Sequence, residues 1–463
     1  MKTITIKPTL IFKLLHSAFY LLPVTCCLLL CQFALVPSIF GYTLGGLTNY
    51  GDVVSGHNAR SIGMSSAEIA VSGGDAAVFA NPAAIYNIGN SRIVASISPV
   101  FNILSEEKRY LDPLNLYDGN QNLIIQRIDN SSSKFKIGSF GAAASVWEDK
   151  LFAGISFCPV TDMSYEHSEK VTDGLTDKIK KDYDASGGIY SLNLGLNYRI
   201  IEEASFGMTV GFLSGSSSLA YDETGYTNNL MNYIDNTDST RDYSGTFIKY
   251  GVLFSKWGYR AGMFYQSSAD ITEKTSVTGK DYNLTSANAW SSSKTDYETE
   301  FTYPEKYGIG IAYQFSGKTR PLFALDWTQQ TWNSFTSAVT SVSGSSTGNP
   351  KTHNTDYKQT REFKVGFEHW LTDWIPMRYG FRYQQFYLTG YETVYNFYHQ
   401  TYVTKENRPV FYSFSLGVGY MLENIDIDFG CEFGKRDYNL SPSERYDELL
   451  QRFMVTARWK YGK

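Results

Sequence analysis

The chain has no excess of basic charge, few prolines and few cysteines. With 41 Lys and Arg against 46 Asp and Glu, the net charge is -5 and the pI is near 5.8. No basic stripe occurs, so nucleic acid is not expected as a partner. The six histidines, His16, His57, His167, His353, His369 and His399, are scattered, and no HExxH, cysteine-pair, P-loop or GxSxG pattern accompanies them. Such patterns bring nucleophiles, bases and metal ligands together locally, so no enzyme, cofactor or metal site is expected. A barrel hydrolase would need Ser, His and an acid gathered from neighbouring strands, which no local pattern encodes.

Long apolar runs are also lacking beyond residue 40. Mean hydropathy is -0.27, too polar for a bundle of membrane helices. The single long apolar stretch, 14–40, follows Lys2, Lys7 and Lys13 and is broken by Pro23 and Pro37. That pattern predicts an export signal over residues 1–41, cleaved after Ser38 or Gly41. The alternatives are a retained helical anchor, or lipidation at Cys31, which the bulky Leu28, Leu29 and Leu30 before it disfavour. Signal removal takes Cys26, Cys27 and Cys31 with it. Cys158 and Cys431 remain, in different strands and on the lumen face and the lipid face respectively, so a disulfide is not expected.

What is present is a rhythm. Over 412–420, Tyr412, Phe414, Leu416, Val418 and Tyr420 alternate with Ser413, Ser415, Gly417 and Gly419. Over 307–315, Tyr307, Ile309, Ile311, Tyr313 and Phe315 alternate with smaller or polar residues, and Phe453, Val455, Ala457, Trp459 and Tyr461 oppose Met454, Thr456, Arg458 and Lys460. Only a period of two, that of a β-strand, sorts residues this way. Strands are predicted at about 92–104, 134–147, 151–163, 187–199, 205–217, 245–256 and 259–271, then 300–315, 320–333, 360–370, 376–388, 408–421, 424–437 and 450–461.

Strand by strand, this pattern suits a soluble sandwich as well as a membrane barrel. The connections separate the two. Short gaps such as Glu148, Asp149 and Lys150 alternate with long polar ones such as 164–186, 219–244, 271–299 and 334–359. An unbroken alternation implies an up-and-down meander, and its even strand count closes without an edge. The expected fold is therefore all-β, a transmembrane antiparallel barrel of about 14 strands over residues 91–463, in a Gram-negative outer membrane. Tyr and Trp suit the two lipid–water boundaries, and the chain is 16% aromatic, with 35 Tyr.

Residues 42–90 differ in character, being small and without strict alternation. The run Asn58-Ala59-Arg60-Ser61-Ile62-Gly63-Met64-Ser65-Ser66-Ala67, followed by Gly73-Gly74-Asp75-Ala76-Ala77-Val78-Phe79-Ala80-Asn81-Pro82-Ala83-Ala84, resembles the N-terminal region of the FadL/TodX family of outer-membrane transporters. Weaker similarity continues at Pro304-Glu305-Lys306-Tyr307-Gly308-Ile309-Gly310, Asp326-Trp327, Trp332, Lys364-Val365-Gly366-Phe367-Glu368 and Ser415-Leu416-Gly417-Val418-Gly419-Tyr420.

The resemblance implies a hatch over 42–90 folded inside the barrel. It also implies uptake of long-chain fatty acids or other hydrophobic compounds, with lateral release through a gap in the wall. The hatch residues it singles out are Gly63, Met64, Gly73, Gly74 and Asp75, and the motif Asn81, Pro82 and Ala83. An ordinary Asn-Pro turn before the first strand is the competing reading.

Arg378 and Arg382 share the polar face of one strand, with Asp426, Asp428 and Glu432 on a strand two along. The two arginines are candidates for a fatty-acid carboxylate, as guanidinium suits one, against a plain network of lumen charges. The acidic row is a wet face rather than a cation site. Expected partners are outer-membrane lipids, a hydrophobic ligand and the barrel assembly machinery, with the chain a monomer. Alternative functions are a FadL-like scaffold of a secretion system, or a surface porin or adhesin acting through its long loops. The residue after Tyr461 is not the expected end: Gly462 and Lys463 follow the aromatic that closes many such barrels.

Overall fold

The computed structural model describes residues 50–117, 121–147, 150–173, 176–227, 230–283, 289–396, 401–441 and 444–462. The signal peptide expected over 1–41, with Cys31, lies outside them.

A short N-terminal region comes first: strand β1 (Asp52–Val53), helix α1 (Ala59–Gly63), helix α2 (Asp75–Ala80) and a 3-10 turn (Pro82–Ala84). Fourteen wall strands follow. They are β2 (Ile93–Tyr117), β3 (Gln121–Trp147), β4 (Leu151–Asp162), β5 (Thr176–Ile201), β6 (Ala204–Thr227), β7 (Leu230–Lys256) and β8 (Tyr259–Gln266). Next come β9 (Lys306–Gln314), β10 (Leu322–Gln330), β11 (Thr360–Thr372), β12 (Ile375–Gln385), β13 (Val410–Met421), β14 (Ile425–Ser441) and β15 (Glu444–Tyr461). Each is antiparallel to its neighbours, and β2 pairs with β15 from Ile93↔Tyr461 upward, closing the barrel with both ends on the side of the short turns.

The closure follows from the alternation. On β5, Leu192, Leu194, Leu196 and Tyr198 are exposed while Ser191, Asn193 and Asn197 are buried inside. The same split holds on β13, where Phe414 is 66% exposed and Ser413 fully buried. Apolar side chains facing out all round a ring, with polar ones inside, invert the soluble arrangement and fit only a surround of lipid. The chain is an outer-membrane β-barrel, its six short turns periplasmic and its long connections extracellular.

Two expectations need correcting. The polar connections are largely not loops: β2 and β3 run on as a ladder to Tyr117↔Gln121, and Ala269–Asn283 pairs with Ala289–Tyr303 as a hairpin standing above the membrane. The strand expected over 300–315 is also interrupted, because Pro304 and Glu305 separate Ala289–Tyr303 from β9. Proline has no N–H for the ladder, so the hairpin leaves the wall there.

Candidate functional site

The N-terminal region fills the lumen. Its folds are local and short. The Asn58 side chain accepts from Ser61 N at 2.7 Å and starts α1, as an N-cap does. Gly74, at φ +63, takes a left-handed turn into α2, a conformation easy only for glycine. Asn81 then caps the 3-10 turn, with Pro82 at its first position, where a missing N–H costs nothing.

The wall is shaped to receive it. A side chain on Gly207 would meet Pro82 main-chain carbon at 2.2 Å, and one on Gly251 would meet Asn81 Oδ1 at 2.0 Å. Across the lumen, Gly63 and Gly417 face each other with room for neither to gain a methyl group. The small-residue segment singled out above is therefore half of a close-packed pair whose other half is wall glycine. Alternation with glycine was visible in the sequence, but the partner of each glycine was not.

Polar contacts lock the hatch. Asn81 Nδ2 donates to Ile69 O at 2.9 Å and to Val252 O at 3.3 Å, and its Oδ1 accepts from Ala83 N at 3.1 Å. Ala83 O accepts from both Asn197 Nδ2 and Ser205 Oγ at 2.7 Å. Asp75 accepts from Ser96 Oγ, and Met64 packs under Gly366 and Gly380. Gly73 lies against Asn87. Asn81, Pro82 and Ala83 thus converge on one wall sector, β5 to β8, while Gly63 and Met64 sit on another, β11 to β14.

Arg378 and Arg382 point inward and are paired. Arg378 Nε donates to Glu368 at 2.6 Å and Nη1 to Asp428 at 2.5 Å, and Arg382 Nη2 lies 2.8 Å from Glu432. The links to Asp428 and Glu432 cross β13 through its glycine and serine face, so the strand two along supplies two of the counter-ions and the adjacent β11 supplies Glu368. Arg378 is sealed within this network. Arg382 also lines a cavity of about 60 Å³ with Arg436, Arg452, Phe411, Trp332 and Tyr387, and its Nε has no hydrogen-bond partner.

A break in the wall lies beside the hatch. β3 and β4 pair only from Phe140↔Phe157 down to Trp147↔Leu151. Above that, β3 stays on β2, while β4 follows β5 and gives its other edge to the hatch: Asp52↔Asp162 and Val53↔Thr161 pair as β1 with β4, and Val54 N donates to Val160 O at 3.0 Å. Pro159, at a register shift in β4, and Gly138 border the gap with Ile137 and Tyr190. Side chains bridge it: Lys136 pairs with Asp162, and Lys134 donates to Ser164 Oγ.

On the extracellular side an aromatic nest receives the start of the hatch. The Tyr50 ring lies 4.5 Å from Phe301 and 4.7 Å from Phe335. Trp332 stacks on Tyr387 at 4.1 Å, and the Tyr387 hydroxyl donates to Gly51 O at 3.1 Å.

Higher still, His167, on the strand Tyr165–Asp173, lies 3.2 Å from both Glu106 and Glu169, and Lys108 Nζ donates to Glu169 at 2.9 Å. Burial disfavours charge on His167, but its close contacts with the Glu106 and Glu169 carboxylates outweigh this and hold its pKa at about 9. Burial also works against Glu169, yet the His167 hydrogen bond and the Lys108 charge bring it down to about 2. Nothing in the sequence marked this cluster, since its members come from separate connections.

A sequence-family model described as BamG matches residues 94–441. No curated protein matches the chain. Among solved structures, a Pseudomonas aeruginosa FadL homologue is similar over 89% of this chain and 100% of its own, with a TM-score of 0.59 and 15% identity. The Pseudomonas putida toluene transporter TodX is similar over 89% and 100%, with a TM-score of 0.56 and 12% identity. The Ralstonia pickettii toluene transporter TbuX is similar over 88% and 99%, with a TM-score of 0.52 and 13% identity. The fold is thus of the FadL type.

Proposed function

The chain belongs to the BamG family, and from its FadL-type fold we propose that it takes up hydrophobic compounds across the outer membrane, moving them past the hatch and out sideways between β3 and β4. The observation that carries the reading is the ladder break, whose β4 edge is held by the hatch residues Asp52 and Val53. Moving the hatch therefore moves the border of the gap, so ligand arrival and wall opening are mechanically linked. The exposed apolar side chains of Phe135, Ile137 and Phe140 beside the break offer an apolar way into lipid. Fatty acids are one substrate class, with Arg382 the better placed of the two arginines to meet a carboxylate.

The test is a reversible lock. Val53 and Thr161 are register partners, close enough for a disulfide in an antiparallel pair. A strain lacking the protein and carrying the Val53→Cys/Thr161→Cys form should take up labelled fatty acid or toluene only after reduction. Uptake equal in deleted, oxidised and reduced cells would sink the reading.

One observation favours a second reading, a scaffold within a multiprotein outer-membrane machine such as the barrel assembly machinery. The hatch is bonded to many sectors of the wall, and the lumen cavity is about 60 Å³, against roughly 300 Å³ or more for typical ligand pockets. Deletion that leaves uptake normal, while other barrels or secreted cargo fall in abundance, would select it.

A further inference from the structure

A second cavity beside the hatch opens at the other end of the molecule. At the periplasmic mouth, between hatch and wall, lies a cavity of about 290 Å³, against about 60 Å³ for the lumen cavity. Its charged lining is Arg60 of α1, Arg260 of β8, Arg320 of the β9–β10 turn and Arg458 of β15, against Glu368 alone. Four cations and one anion leave a net charge of +3 in the lining.

The counter-ions fall short of these cations. Glu368 is shared between Arg60, at 3.0 Å, and Arg378, at 2.6 Å. Arg320 reaches the exposed Asp373 at 2.7 Å. Arg458 comes no nearer than 3.7 Å to Asp75, and its buried Nε has no hydrogen-bond partner. Arg260, half-buried, has no ion pair or hydrogen bond among the described residues. Ser72 Oγ, on the hatch side, is buried without a partner as well, its residue 5% exposed. Converging guanidinium groups and an idle hydroxyl cost free energy that an oxyanion removes, because each unmet donor gains a charge-assisted bond.

We propose that this mouth is a binding pocket for a small oxyanion, a phosphate or carboxylate compound entering from the periplasm. Arg260 and Arg458 supply the principal bonds from the wall, Ser72 and Arg60 complete them from the hatch, and Trp370 with Leu322 forms the apolar side. Because Arg60 and Ser72 belong to the hatch while Arg260 and Arg458 belong to the wall, a bound anion joins the two. The pocket is independent of the uptake reading. Oxyanion binding in a barrel that moves no hydrophobic compound would leave it standing.

The test uses the full barrel in detergent, titrated calorimetrically with inorganic pyrophosphate and separately with succinate at constant ionic strength. Saturable binding of at least one is expected, and which of the two binds more tightly assigns the ligand to phosphates or carboxylates. Arg260→Gln should weaken it about tenfold or more, the worth of a bond to a charged group. Arg260→Lys should retain most of it, and Arg127→Gln, on an exposed extracellular hairpin, should change nothing. Arg458→Gln, on another strand, gives the same readout should Arg260→Gln fail to insert. Absence of saturable binding, or an equal loss in Arg127→Gln, would overturn the proposal.

Discussion

Asn81 is a fully buried amide whose donors and acceptor are all engaged, two bonds reaching hatch backbone and one reaching β7. Asn81→Leu keeps the branched shape and removes the partner of three backbone groups, so a loss of about 3 kcal/mol is expected in denaturant unfolding. Gly251→Val drives a side chain into that amide, and the hatch should then become cleavable by added protease while the barrel keeps its heat-resistant mobility. Arg378→Leu leaves Glu368 and Asp428 buried with their shared cation gone, and about 3–5 kcal/mol should be lost. The sequence placed Arg378 correctly on the lumen face, because a period of two fixes the face of every strand residue. It could not say that Asp428 and Glu432 would be the counter-ions, since pairing across an intervening strand depends on register, and register is set by contacts far apart in the chain.

Among the elements, the extracellular hairpins depart furthest from expectation. Along Ala269–Asn283 and Ala289–Tyr303, polar residues occupy both faces above Ile271 and Phe301, so no apolar face reports the period. Water bathes both sides of a ladder standing above the membrane, held by backbone pairing and by polar side-chain contacts such as Lys351 with Asp270, which composition reads as loop. The Glu106–His167–Glu169 cluster ties one such hairpin to β2. His167 is raised above its ordinary value, so its contribution is complete below about pH 6.5 and is lost as pH rises through about 9. Glu169 is depressed, so its contribution is complete above about pH 4.5 and is lost on acidification toward about 2. Amide exchange over 165–169 should be slowest near pH 5–6 after correction for intrinsic rates, and should rise beyond pH 9. In His167→Gln the alkaline rise should disappear.

For the whole molecule, the ring of wall strands is continuous without the hatch, since β2 pairs with β15 and β3 with β4 below the gap. Deleting residues 50–84 should therefore leave a barrel that inserts and conducts in a planar bilayer, where the intact protein stays closed. The sequence by itself determined the strand number, the face of each wall residue, the side of the short turns and the presence of a small-residue segment before the first strand. All of these are read from local periodicity and spacing, which the bilayer imposes residue by residue. Only the tertiary structure decided where the ladder parts between β3 and β4, that β1 of the hatch takes the freed edge, which glycines of the wall meet Asn81 and Pro82, and that four arginines converge at the periplasmic mouth. Those depend on residues hundreds of positions apart, whose meeting is fixed by how the barrel closes and what fits inside it.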